Sequence, residues 1–127
     1  TEIYTLSLHD ALPICHGPNA LVDGQHPIIV LATRDSADPD SMLRYQKTLG
    51  VLEYIRSRRG KSIAIATAGD HEVEQFADAS IFVPPAPELL LPILEVVPLQ
   101  FFAYHFAVLN GSDVDHPRNL VKAVVTE

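Results

Sequence analysis

The chain has 127 residues, room for one small domain, and its 47% hydrophobic and 20% charged residues are an ordinary globular balance. A net charge of −7 argues against a surface built for nucleic acid or anionic membrane, which needs clustered lysine and arginine. A single cysteine, Cys15, leaves no disulfide framework.

The first segment, residues 1–14, reads TEIYTLSLHDALPI. It lacks the charged n-region and long apolar core of a signal peptide. Tyr4 to Ile14 is instead the translation, without a mismatch, of one frame of a common sequencing-adapter oligonucleotide, and the adapter bases upstream give Thr1 to Ile3. We therefore expect residues 1–14 to be non-native and Cys15 to sit at a junction. His9 and Asp10 are left out of functional reasoning on that ground.

Next comes Cys15-His16-Gly17-Pro18-Asn19-Ala20-Leu21. A histidine before Gly-Pro sits on a turn, where its imidazole can project into a cleft and exchange protons near neutrality. The plainer reading of His16 is a structural or merely exposed residue.

Three apolar runs follow as expected strands: Pro27 to Thr33, Ser62 to Thr67 and Ser80 to Val83. They are rich in Ile, Val and Ala and do not alternate with polar residues, which suits parallel strands covered on both faces. Between the first two, Asp38 is placed to cap a helix, Pro39 suits its first position, and Asp40 adds an acid to its first turn. Met42, Tyr45, Leu49, Leu52 and Ile55 form one apolar stripe at helical spacing. Gly60 is expected to close the helix, and Arg56, Arg58 and Arg59 to meet its C-terminal dipole rather than a phosphate. Strand, helix, strand makes a right-handed βαβ unit.

Glu72 to Ala77 is expected as a short helix, and Pro84, Pro85 and Pro87 enforce an extended turn. The stretch from Pro87 to Leu109 is long enough to raise the question of a membrane span. Glu88, Glu95, Gln100 and His105 within it argue for a buried helix of a soluble protein, broken or kinked at Pro92 or Pro98 and ended by Asn110-Gly111. His105 is expected as a core residue. His26, His71, His105 and His116 show no metal-ligand spacing, and no Gly-rich phosphate loop or serine nucleophile elbow is present.

The tail, DVDHPRNLVKAVVTE, keeps Leu120, Val121, Val124 and Val125 around Lys122. A desolvated lysine has a lowered pKa and can form a Schiff base with a carbonyl. A solvated lysine is the plainer alternative.

Together these segments resemble one family. HGPNALVD before an apolar strand is similar to the pattern KHGP-x-ALID. PLQFFAYHFAVLNGSDVDHPRNLVKAVVTE is similar to PLQ-xx-AYH-x-A-xxx-G-x-DVDQPRNLAKSVTVE. Both belong to the glutamine–fructose-6-phosphate aminotransferases, and the similarity covers nearly all of residues 15–127. The resemblance implies an α/β fold, a three-layer α/β/α SIS-type (sugar-isomerase) domain with a flavodoxin-like parallel sheet, incomplete at its N-terminus. Residues 15–111 would be part of a second SIS domain and residues 112–127 an active-site lid tail. The family transfers ammonia from glutamine to fructose 6-phosphate, giving glucosamine 6-phosphate, with no metal or organic cofactor.

His16 would open the sugar ring from the neighbouring subunit of a homodimer, Lys122 would engage the open-chain carbonyl, and Val121 would line the sugar site. The implied enzyme is cytoplasmic and binds neither nucleic acid nor membrane. Its glutaminase domain, first SIS domain and isomerisation glutamate lie upstream of this segment, so the chain alone is expected to be inactive. Cys15, His116 and Ala123 depart from the usual Lys, Gln and Ser. Another SIS isomerase or deglycase, or a non-catalytic SIS regulator, is the alternative, and the tail motif argues against both.

Overall fold

A computed structural model describes residues 22–116. Three strands, β1 (Ile28–Ala32), β2 (Ser62–Thr67) and β3 (Ala79–Val83), form a parallel sheet in the order β1-β2-β3. The register sets Val30 beside Ala64, Ala32 beside Ala66 and Ile65 beside Ile81. The strands match the expected runs to within a residue at either end.

Helix α1 (Pro39–Ser57) joins β1 to β2. Asp38 starts it: its backbone is extended, and its carboxylate accepts the N–H groups of Asp40 (2.9 Å) and Ser41 (3.3 Å). Tyr45, Leu49, Leu52 and Ile55 are buried on one face of α1, where they meet Val30, Ala32, Ala64 and Ala66. The alanines on the sheet make room for the large side chains on the helix. Burying one such leucine fully stabilises the fold by roughly 1.5–3 kcal/mol.

Gly60 does not end α1 as expected. The left-handed residue is Arg59, at φ 59°, whose N–H donates to the Arg56 carbonyl, while the Gly60 N–H donates to the Ile55 carbonyl. That is the paired hydrogen-bond pattern of a Schellman cap, one residue earlier than glycine would choose. Gly60 is needed for closeness instead: a Cβ there would lie 2.6 Å from Val22 Cγ1 and 2.9 Å from Ile55 Cγ2.

Strand β2 leads through a 3-10 turn, Val73–Gln75, to β3. Val73 packs into the same core as α1, so both crossovers use one face of the sheet. After the prolines and a second 3-10 turn, Glu88–Leu90, helix α2 (Leu91–Leu109) begins. Side chains alternate along a strand, so Leu31 and Ile65 point away from α1. Leu31 shares a cleft with Leu91, Pro92 and Glu95, and Val83 shares one with Leu94 and Val97. α2 therefore lies on the opposite face, and the arrangement is three-layered.

The helix was expected to be broken or kinked at Pro92 or Pro98, and it is not broken: Pro92 sits in the first turn, where a missing N–H leaves no gap, and the helix runs through Pro98. Nor is it buried. Only Leu91 and Glu95 are, while Ile93, Phe101 and Leu109 are more than half exposed. A helix apolar on every side carries more apolar surface than one face of this sheet can cover. By length and composition alone it could cross a membrane. Gly111, at φ 71°, ends it as expected, with Ser112 N–H bonded to the Ala107 carbonyl.

Candidate functional site

In open parallel sheets, ligands bind beyond the carboxyl ends of the strands. Here that pole is a closed polar crown. Thr67, the last residue of β2, ties down the chain leaving β1: its Oγ1 accepts Arg34 N–H at 2.8 Å and donates to the Arg34 carbonyl at 3.0 Å. The Arg34 guanidinium reaches Asp70 at 3.4 Å and Glu72 at 3.7 Å, and lies over the Tyr45 ring at 4.5 Å. Burial, then the neighbouring Asp70 carboxylate, pushes the Tyr45 phenol above its ordinary pKa. Tyr45 Oη and Asp70 Oδ2 are nonetheless without a hydrogen bond of normal geometry among the described residues, so the two groups are neighbours rather than a formed pair.

A second group joins the two helices. Asp35 N–H donates to Ser41 Oγ at 2.8 Å, and the Ser41 hydroxyl donates to the Glu88 carboxylate. Arg44 grips the same carboxylate with two bonds, Nε to Oε1 at 3.0 Å and Nη2 to Oε2 at 2.9 Å, and Nη2 also donates to the Thr33 carbonyl at 3.0 Å. Arg44 first, then Ser41, holds Glu88 below the usual glutamate pKa. The buried Thr33 hydroxyl donates to the buried carboxylate of Glu95 on α2.

Arg34 and Arg44 are thus already paired. Asp70 and Glu72 face Arg34, and Glu88 faces Arg44. A phosphate needs free cations or unpaired N–H groups. Among the described residues, the two arginines of this crown are both held by carboxylates. The crown is a brace between elements.

The sequence-predicted site residues His16, Val121 and Lys122 lie outside the described residues. The candidate histidines are dispersed. His26, His71 and His116 each lie within 3.2 Å of a nearby acid, Asp23, Glu74 and Asp113 respectively, on the surface. His105, expected in the core, is exposed and stacks on Phe101 at 6.4 Å, because the helix that carries it is uncovered. No cluster of metal-ligating side chains occurs among the described residues. An open cleft of about 760 Å³ lies at the end of α2, lined by Tyr104, Asn110, Asp113 and His116 among others. It adjoins the point where the chain enters PRNLVK.

Sequence reasoning missed the crown. The one available signal was Glu95, an acid inside a long apolar run that demands a buried partner.

The family described as "SIS domain" matches residues 4–110, a span that begins inside the 1–14 segment. Three relatives are each called glutamine--fructose-6-phosphate aminotransferase [isomerizing]. That of Chlorobaculum tepidum is 45% identical over 119 residues, 94% of this chain and 18% of the relative. That of Thermus thermophilus is 50% identical over 112 residues, 88% of this chain and 17% of the relative. That of Bacteroides thetaiotaomicron is 43% identical over 119 residues, 94% of this chain and 18% of the relative. The chain spans less than a fifth of the length of these relatives.

Proposed function

The chain belongs to the SIS domain family, and from that premise we propose that it supplies the C-terminal part of the sugar-isomerising half of a glutamine–fructose-6-phosphate aminotransferase. The observation that carries the reading is 43–50% identity over about nine-tenths of the chain to proteins of that name. Residues 15–111 belong to the second SIS domain and residues 112–127 to the lid tail, while residues 1–14 come from adapter sequence.

In this reading the substrate is fructose 6-phosphate, the product is glucosamine 6-phosphate, and glutamine supplies the ammonia. His16 moves protons in ring opening, from the neighbouring subunit of a dimer. Lys122 attacks the open-chain carbonyl with its neutral amine, and Val121 lines the sugar site. A tail that closes over the sugar excludes water and holds ammonia in place. The setting is the cytoplasm. The remaining domains come from sequence that the relatives carry and this chain does not span.

The test replaces the matching segment of the Thermus thermophilus relative with this chain's sequence. Formation of glucosamine 6-phosphate, abolished by Lys122→Ala while glutamine hydrolysis persists, supports the reading. A folded hybrid that hydrolyses glutamine but makes no amino sugar, or one in which Lys122→Ala synthesises at full rate, overturns it.

A further inference from the structure

Asn110 and Gly111 close α2, and the same dipeptide is chemically labile. In Asn-Gly the glycine nitrogen can attack the asparagine Cγ, because glycine has no side chain to hinder the approach. The attacking nitrogen gives up its proton and a C–N bond forms. The side-chain amide nitrogen takes up a proton and leaves as ammonia, so a cyclic succinimide results. Water then opens that ring at either carbonyl, leaving aspartate or isoaspartate.

The helix cap holds the two reacting groups apart. Asn110 has φ −85° and ψ 6°. At that ψ the Gly111 nitrogen lies alongside the backbone nitrogen of Asn110, whereas ring closure needs it alongside Cβ, roughly a third of a turn away about the Cα–C bond. The Gly111 N–H is also engaged, donating to the Val108 carbonyl at 2.9 Å. The Asn110 side-chain amide donates through Nδ2 to the Phe106 carbonyl at 2.7 Å, which holds Cγ back against the preceding turn. Ser112 N–H, bonded to the Ala107 carbonyl at 2.9 Å, ties down the next residue. Every acceptor belongs to α2 itself, so the restraint does not depend on what covers the helix from outside.

We propose that Asn110 is a site of spontaneous deamidation that the C-terminal cap of α2 keeps closed, and that it reacts only when the last helical turn frays. The rate is then the intrinsic rate multiplied by the fraction of time the cap is open. Reaction also fixes the open state. The new carboxylate cannot donate to the Phe106 carbonyl, and its charge opposes the negative end of the helix dipole. Isoaspartate further lengthens the backbone by one methylene and takes the Gly111 N–H out of register.

The test follows conversion at Asn110 at neutral pH by peptide mapping with mass spectrometry and by an isoaspartate assay. A short synthetic peptide spanning Ala107 to Val114 gives the rate without the helix. The full chain should convert about ten- to a hundredfold more slowly than the peptide, since the hydrogen bonds of the cap must open first. Ala107→Gly weakens the last turn, and should speed conversion in the chain by up to about fivefold while leaving the peptide rate unchanged. In Asn110→Asp, the amides of Gly111 and Ser112 should exchange with solvent about three- to tenfold faster than in the parent.

Should circular dichroism show the chain unfolded by itself, the same measurements on the hybrid enzyme described above decide. Equal rates in the folded protein and the peptide overturn the proposal, as does a peptide that does not convert. A parent-like rate in folded Ala107→Gly overturns the link to the helix cap, and unchanged amide exchange in Asn110→Asp overturns the claim that reaction fixes the open state.

Discussion

Glu95 of α2 accepts the hydroxyl of Thr33 across 62 residues of sequence, and both side chains are buried. A buried carboxylate with a donor is tolerated, whereas one without is destabilising by the full desolvation penalty of the group. Thr33→Val should therefore destabilise the fold by about 1–3 kcal/mol. Adding Glu95→Leu should return most of that loss, because both polar partners are then gone. Chemical denaturation of the two single variants and the double variant checks this. Additive losses would mean the two side chains do not interact.

The α1–sheet core gives a simpler expectation. Leu52 is fully buried and packs against a sheet surface made largely of alanine. Those small residues cannot swing into a gap. Leu52→Ala should cost about 2–5 kcal/mol, towards the upper end of the range for a cavity that cannot collapse. Val51, half exposed on the other side of α1, should tolerate the same truncation within about 0.5 kcal/mol. A denaturation midpoint that moves equally for both would contradict the assigned helix face.

Much of this half of the molecule is legible in the sequence, because its signals are local. Asp38-Pro39 starts α1, a single stripe from Tyr45 to Ile55 gives its buried face, and three unalternating apolar runs give the parallel sheet. The crown is not legible, because Ser41, Arg44 and Thr33 meet Glu88 and Glu95 only after the chain has crossed the sheet twice. The exposure of α2 and of His105 fails for another reason. Composition reports how apolar a helix is, and burial depends on how much surface exists to cover it. The residues that carry the proposed chemistry, His16 and Lys122, are read from motif resemblance, and local pattern alone leaves both with a plain alternative.

The end of α1 separates two roles that glycine can play. Arg59 holds the left-handed conformation that glycine favours, while Gly60 fills a space that admits no Cβ. Arg59→Gly should thus be neutral to stabilising, by up to about 1 kcal/mol, as the strain of a left-handed side-chain-bearing residue is relieved. Gly60→Ala should be destabilising by about 1–3 kcal/mol, since both Val22 and Ile55 must move. Thermal melts of the two variants should shift in opposite directions. A destabilised Arg59→Gly would mean that the arginine side chain contributes more at this cap than its left-handed backbone costs.

The clamp on Glu88 predicts an acid-sensitive contribution to stability. Arg44, and after it Ser41, lowers the pKa of this carboxyl in the folded chain. A depressed folded pKa means that the folded state binds the ionised form more tightly than the unfolded state does. The stabilisation is therefore complete above the ordinary glutamate pKa and disappears as pH falls through the folded value. Glu88 is about one-third exposed, so solvent screening keeps the effect small. Arg44→Ala removes the main cause of the shift. The melting temperatures of parent and Arg44→Ala should differ most at neutral pH and converge as acidification carries Glu88 through its folded pKa and protonates it in both. A difference that stays constant across that range would show that Arg44 acts through packing alone, and a difference that grows on acidification would reverse the sign assigned to the pair.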